Sequence, residues 1–133
     1  MKKIFIYIII PCILLSINNL NAQPGFLDPT FGTGGLVNVQ QGYTLYHSII
    51  SLLNEKIVAV SDGFLIDRYN PDGSIDLTFG INGRSVPPLG FNQKNAIGIK
   101  ELNDEKLIVG GWKVPSGTNV DVLVIRTNSD GIV

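Results

Sequence analysis

The sequence has 133 residues, 16% of them charged, with 15 glycines, a single histidine and a single cysteine, and a formal net charge of −1. No stretch clusters Lys and Arg, so nucleic acid and anionic membrane surfaces are not expected as partners. One cysteine leaves no pair for an internal disulfide and no Cys-based zinc site.

The chain begins with Lys2 and Lys3, an almost unbroken apolar run over 4–15, a polar spacer over 18–21, and Ala22. That layout predicts a signal-peptide helix over 1–22, cleaved after Ala22, with Leu20 an imperfect residue two positions before the cut. The apolar run is shorter than the roughly 20 residues a spanning helix needs, so no stable membrane span is expected after cleavage. Cys12 lies inside the run and follows Pro11 rather than a small residue, which argues against lipidation. The predicted mature chain then has no cysteine and eight basic against eleven acidic residues, a net charge of −3.

A distinctive stretch follows and recurs. Gly25, Leu27, Asp28, Thr30, Phe31, Gly32 and Gly35 are answered by Gly73, Ile75, Asp76, Thr78, Phe79, Gly80 and Gly83, 48 residues later. Such self-similarity marks a repeat architecture. Within each copy the Asp and Thr suit an Asx-type turn, the Phe suits burial beneath it, and the glycines suit positive φ. The stretch therefore predicts a folded corner that passes the chain between sheet units.

After the first corner come candidate strands at 36–40, 46–53, 56–60 and 64–69, separated by Asn54-Glu55, Ser61-Asp62-Gly63 and Asn70-Pro71-Asp72-Gly73. The second copy offers strands at 84–86, 96–102, 106–112 and 120–127. Its hairpin, Asn103 to Lys106, answers Leu53 to Lys56 at an offset of 50. Its turn, Arg126 to Gly131, answers Arg68 to Gly73 at an offset of 58, mostly because of a longer loop over 113–119. The reading divides the chain into a signal peptide at 1–22, a first β-repeat at 23–72, and a second at 73–133 that ends before a further repeat.

The corner Leu27 to Gly32 with Gly35, the hairpin Asn54 to Val60, and the run Arg68 to Asp76 together resemble the delta-60 repeat family of secreted or surface bacterial proteins. The resemblance covers nearly all of the mature chain and implies an all-β fold of about two four-stranded antiparallel blades of a β-propeller. Two blades do not close a ring, since propellers use roughly four to eight. The expectation is an incomplete propeller that needs further blades or self-association, or the N-terminal fragment of a longer one. The first copy departs from the family pattern at Val60-Ser61, where the second has Gly110-Gly111.

Candidate chemistry is sparse. His47 and Ser48 are chain neighbours on a candidate strand, so they point to opposite faces and cannot act as base and nucleophile together. Asn70, Asp72 and Asp76, with Asp130 in the second copy, gather oxygen ligands, but Gly73 comes too early for an EF-hand loop and turn chemistry accounts for all four. The run 32–35 lacks the Lys-Ser/Thr pair of a phosphate loop. Trp112, Tyr43, Tyr46 and Tyr69 offer aromatic surfaces that suit sugars, although packing is the commoner use of such side chains. The candidate inner strands supply Gln40 and Arg84 but no acid or histidine. No catalytic, metal or cofactor site is therefore expected. The resulting expectation is a non-enzymatic exported scaffold or binding module with a protein or glycan ligand, secreted, on the cell surface or in the periplasm. The alternative is an exported propeller-type hydrolase or lyase whose catalytic residues lie in missing blades.

Overall fold

The computed structural model describes residues 25–39, 44–90, 93–115 and 119–133, so the predicted signal segment with Cys12, and both Gln40 and Tyr43, lie outside the described residues. Seven strands form among the described residues: β1 (Tyr46–Ser51), β2 (Ile57–Ser61), β3 (Ile66–Tyr69), β4 (Arg84–Ser85), β5 (Gln93–Glu101), β6 (Leu107–Val114) and β7 (Asp121–Thr127). They build two antiparallel sheets, one ordered β1-β2-β3-β4 and the other β5-β6-β7. The described residues contain no helix, in keeping with the all-β expectation.

Short β-branched runs bounded by Asn, Asp and Gly turns explain most of these strands. Two expectations are corrected. Residues 36–39 form no strand, and Leu36 makes only an isolated bridge to Gly32. The strand after the second corner, β4, pairs with β3 and so is the fourth strand of the first sheet, not the opening strand of the second copy. The physical reason is the corner itself, which folds the chain back onto the sheet it has just left: Asp76 N–H donates to the Arg68 carbonyl and Arg68 N–H to that of Gly83. Among the described residues the second sheet consequently has three strands rather than four.

Pairing register sorts the side chains by face, because directly opposed residues point the same way. In the first sheet Ile50 opposes Val58, and Ile66 opposes Ser85, all on one face. In the second, Leu107 opposes Thr127 and Val109 opposes Ile125. These two faces meet in one core, where Val58, Val60, Phe64, Ile66, Phe79, Ala96 and Val109 are all fully buried and Leu107 is nearly so. Among the described residues each sheet's other face has no partner sheet: Ile49, Ile57, Ala59 and Tyr69 on the first, Lys100, Ile108, Val124 and Arg126 on the second.

The hairpin turns are alike in both copies. Leu52 N–H donates to the Lys56 carbonyl at 2.7 Å and Leu102 N–H to that of Lys106 at 2.8 Å, with Glu55 and Glu105 in the left-handed region at φ 66° and 62°.

Candidate functional site

The corners behave as the repeat predicts. Asp28 Oδ1 accepts from Thr30 N–H at 2.9 Å and from its hydroxyl at 2.6 Å; Asp76 Oδ1 accepts from Thr78 N–H at 3.1 Å and from its hydroxyl at 2.6 Å. Gly80 has φ 55°, and a Cβ there would collide with the Arg84 carbonyl. Phe79 is fully buried as expected, whereas Phe31 is only half-buried. The difference is positional, since Phe79 lies in the core between the sheets and Phe31 lies on the open side.

Each corner also docks on the turn of the unit that follows it. Gly32 N–H donates to the Asp72 carbonyl at 2.7 Å, and Gly80 N–H to the Asp130 carbonyl at 2.8 Å. Gly73 approaches the Phe31 ring and Gly131 the Phe79 ring, so closely that a Cβ on Gly131 would overlap it.

The second corner is held by a buried ionic clamp that sequence reasoning did not find. Asp76, 3% exposed, takes Arg68 Nε at 2.6 Å and Lys56 Nζ at 2.7 Å on its second carboxylate oxygen. Arg68 Nη1 donates onward to the Ser129 carbonyl at 2.5 Å, and its guanidinium stacks 4.4 Å over the Phe79 ring. Burial opposes ionisation of Asp76, but hydrogen bonds from Lys56, Thr78 and Arg68 outweigh it and hold the carboxyl well below the usual range. The available signal was the recurrence of Lys after each Asn/Asp-Glu hairpin and of Arg before each turn: Lys56 and Arg68, then Lys106 and Arg126.

A second cluster ties β4 to the open face of the first sheet. Asp67, 2% exposed, accepts from Arg84 Nε at 2.6 Å and Nη2 at 2.7 Å and from the Tyr46 hydroxyl. This bidentate pairing raises the Arg84 guanidinium pKa, and burial together with Asp67 pushes the Tyr46 hydroxyl up. Tyr46 thus remains a proton donor to Asp67. Beside the cluster runs a groove of about 510 Å³ lined by Phe31, Leu36, Val37, Tyr46, Ile49 and Tyr69 among others.

The remaining sequence candidates are placed as follows. His47 Nε2 lies 2.7 Å from Asp62 Oδ1, at the register shift in β1, while Ser48 opposes Val60 on the core face. The histidine and serine are therefore not brought together. Asn70, Asp72 and Asp76 do not converge on a common point: Asp72 binds Ser74 N–H and hydroxyl, Asn70 Nδ2 donates to the Ser74 hydroxyl, and Asp76 faces two cations. Asp130 gives its carbonyl to Gly80 and its N–H to Asn128 Oδ1, and among the described residues its carboxylate joins no shared site. Trp112 lies within β6, which continues to Val114, and is half-buried; part of the 113–119 loop lies outside the described residues.

Comparison with family models gives a match over residues 56–79 and 102–131 to a domain of unknown function (DUF5122) beta-propeller. Comparison with curated proteins and with solved structures gave no match. The two matched stretches carry the two Lys-and-Arg sets, Lys56 with Arg68 and Lys106 with Arg126. Two corner-linked antiparallel sheets, together with that match, support a β-propeller-type repeat family for this chain.

Proposed function

We propose that this chain is an exported, non-enzymatic β-propeller repeat protein of the delta-60 type, serving as a scaffold or binding module for a protein or glycan. The observation that carries the reading is where the buried charges go. Asp76 is bound by Arg68 and Lys56, and Asp67 by Arg84 and Tyr46, so each buried carboxylate holds a strand or corner in place. Asp76 is held well below the usual carboxylate range by its partners, and both Asp67 oxygens accept from Arg84, an arrangement that suits structure better than acid-base work. Export rests on the basic, apolar and polar order of residues 2–22.

The test is to assay the purified chain against glycoside, ester and uronate-polymer substrates, and to fuse residues 1–22 to a reporter active only outside the cytoplasm. Absence of turnover with an active reporter is the expected result. Turnover abolished by substitution of His47, Asp62 or Asp67 would overturn the non-enzymatic assignment, and an inactive reporter would overturn export.

A further inference from the structure

The contact between the two sheets is built so that it can be made again. At the offsets of 50 and 58 set by the hairpins and turns, the core face of the first sheet, with Val58, Val60, Ile66 and Arg68, corresponds to Ile108, Gly110, Val124 and Arg126 on the open face of the second. The core face of the second, with Leu107, Val109 and Thr127, corresponds to Ile57, Ala59 and Tyr69 on the open face of the first. Each open face is thus the counterpart of a face already buried against the other's counterpart. Val124 is 61% exposed, Val122 83% and Ile49 67%, so apolar surface remains on both sides.

The polar parts of the joint are split in the same way. Asp28 occupies the Asp76 position with its Thr30 bonds in place but with no cation on its carboxylate among the described residues. Arg126 occupies the Arg68 position, is exposed, and has no acid partner among the described residues. The corner that carries Asp28 is already docked on the Asp72 turn, as the Asp76 corner is docked on the Asp130 turn. Leu36 and Val37 stand 48 residues before Arg84 and Ser85, which complete the first sheet by pairing with β3. Leu36 and Val37 are exposed and form no strand, and the edge of β7 has no strand beyond it among the described residues.

We propose that the chain associates head to tail with a second copy of itself, with Leu36 and Val37 of one copy adding as a fourth strand to β7 of the other and Asp28 of the first joining Arg126 of the second. By the β3–β4 register, in which Ile66 opposes Ser85 and Asp67 opposes Arg84, Val37 opposes Val124 and Leu36 opposes Ile125. Ile108, Val122 and Val124 then cover the groove beside Ile49, Ile57 and Tyr69. Strand addition satisfies an exposed edge that is otherwise a hazard, and an open edge is a standard docking place for an extended segment. The contact is heterologous, with different surfaces on each partner, so it propagates to a ring or a filament rather than stopping at a two-fold dimer. The inference rests on the scaffold reading and names its partner.

The test measures native mass by sedimentation across a concentration series, then uses Asp28→Ala, Arg126→Ala and their mixture. The chain is expected to form species of two or more copies, and each single variant to weaken association about tenfold or more, as loss of a charge-assisted pair does. Mixing the two variants is expected to restore dimers and nothing larger, because only one competent joint survives between them. A second reading of the same contact uses Val37→Cys and Val124→Cys copies mixed under mild oxidation, since opposed positions on neighbouring strands lie within disulfide reach. A mixed disulfide between the two variants supports the proposal. A monomer at every concentration, association untouched by either charge variant, or disulfides only between identical variants would overturn it. Turnover of a substrate would instead overturn the scaffold reading and leave the mass measurements standing.

Discussion

Asp76 does at one position what a turn and two cations require together: its first oxygen closes the Asx turn with Thr78, and its second joins Lys56 and Arg68. Replacing it by Asn keeps the turn and leaves Arg68, 7% exposed, without its counter-charge. Breaking a buried pair this way costs on the order of 3–5 kcal/mol, read as a lower urea midpoint at unchanged slope. The sign of the pH effect follows from the lowered carboxyl: the folded state binds its proton more weakly than the unfolded chain, whose reference value is 3.8. The stabilisation is therefore full above about pH 4 and is lost as the pH falls towards the folded value. Urea midpoints between pH 6 and pH 2 should fall in the parent chain and flatten in Asp76→Asn. Glycines offer a matched pair at the same scale. Gly80→Ala meets both a positive φ and the Arg84 carbonyl and should cost several kcal/mol, whereas Gly98, with nothing within 4 Å of a Cβ, should accept Ala with a change of less than about 1 kcal/mol.

Among the elements, the hairpins between β1 and β2 and between β5 and β6 place a glutamate, Glu55 or Glu105, in a conformation that costs an L-residue roughly 1 kcal/mol and a glycine little. Glu55→Gly, and separately Glu105→Gly, should raise thermal stability by several degrees, read by scanning calorimetry; no change would mean that the turn is relieved by its surroundings. These hairpins were legible from Asn54-Glu55 and Asn103 to Lys106 because apolar alternation breaks there, and seven strand positions followed from the same reading. The strand expected at 36–40 is missing over its described residues, 36–39, where Leu36 makes an isolated bridge to Gly32. Sequence shows that residues 36–37 and 84–85 occupy equivalent places after a corner, but pairing of β4 with β3 depends on which edge the corner turns back to, and that is a tertiary fact. The clamp on Asp76 was hidden for a related reason: Lys56, Arg68 and Asp76 are 12 and 8 residues apart and meet only once β2, β3 and the corner are assembled. The turn roles of Asp28, Asp72 and Asp76 were readable because an Asx turn is made within three residues.

For the whole molecule, the two sheets share one core, with Val58, Val60 and Ile66 of the first buried together with Ala96, Leu107 and Val109 of the second. Neither face would be covered if the other sheet unfolded, and the Asp76 corner adds Phe79, stacked under the Arg68 guanidinium of β3, at the seam. A repeat pair joined this way should melt as one cooperative unit, because opening one sheet exposes the core of both. The sole tryptophan, Trp112, lies in β6 and reports only on the second sheet. Val58→Ala removes two methyl groups from a fully buried position in the first sheet, a loss of about 2 kcal/mol. Measured at one fixed protein concentration, since association would shift the midpoint, the Trp112 fluorescence transition should move to lower urea by the same amount as the far-UV circular dichroism transition. If instead Trp112 unfolds at the parent midpoint while circular dichroism reveals an earlier step, the sheets are independent units and the seam at Phe79 is a contact between them, not a common core.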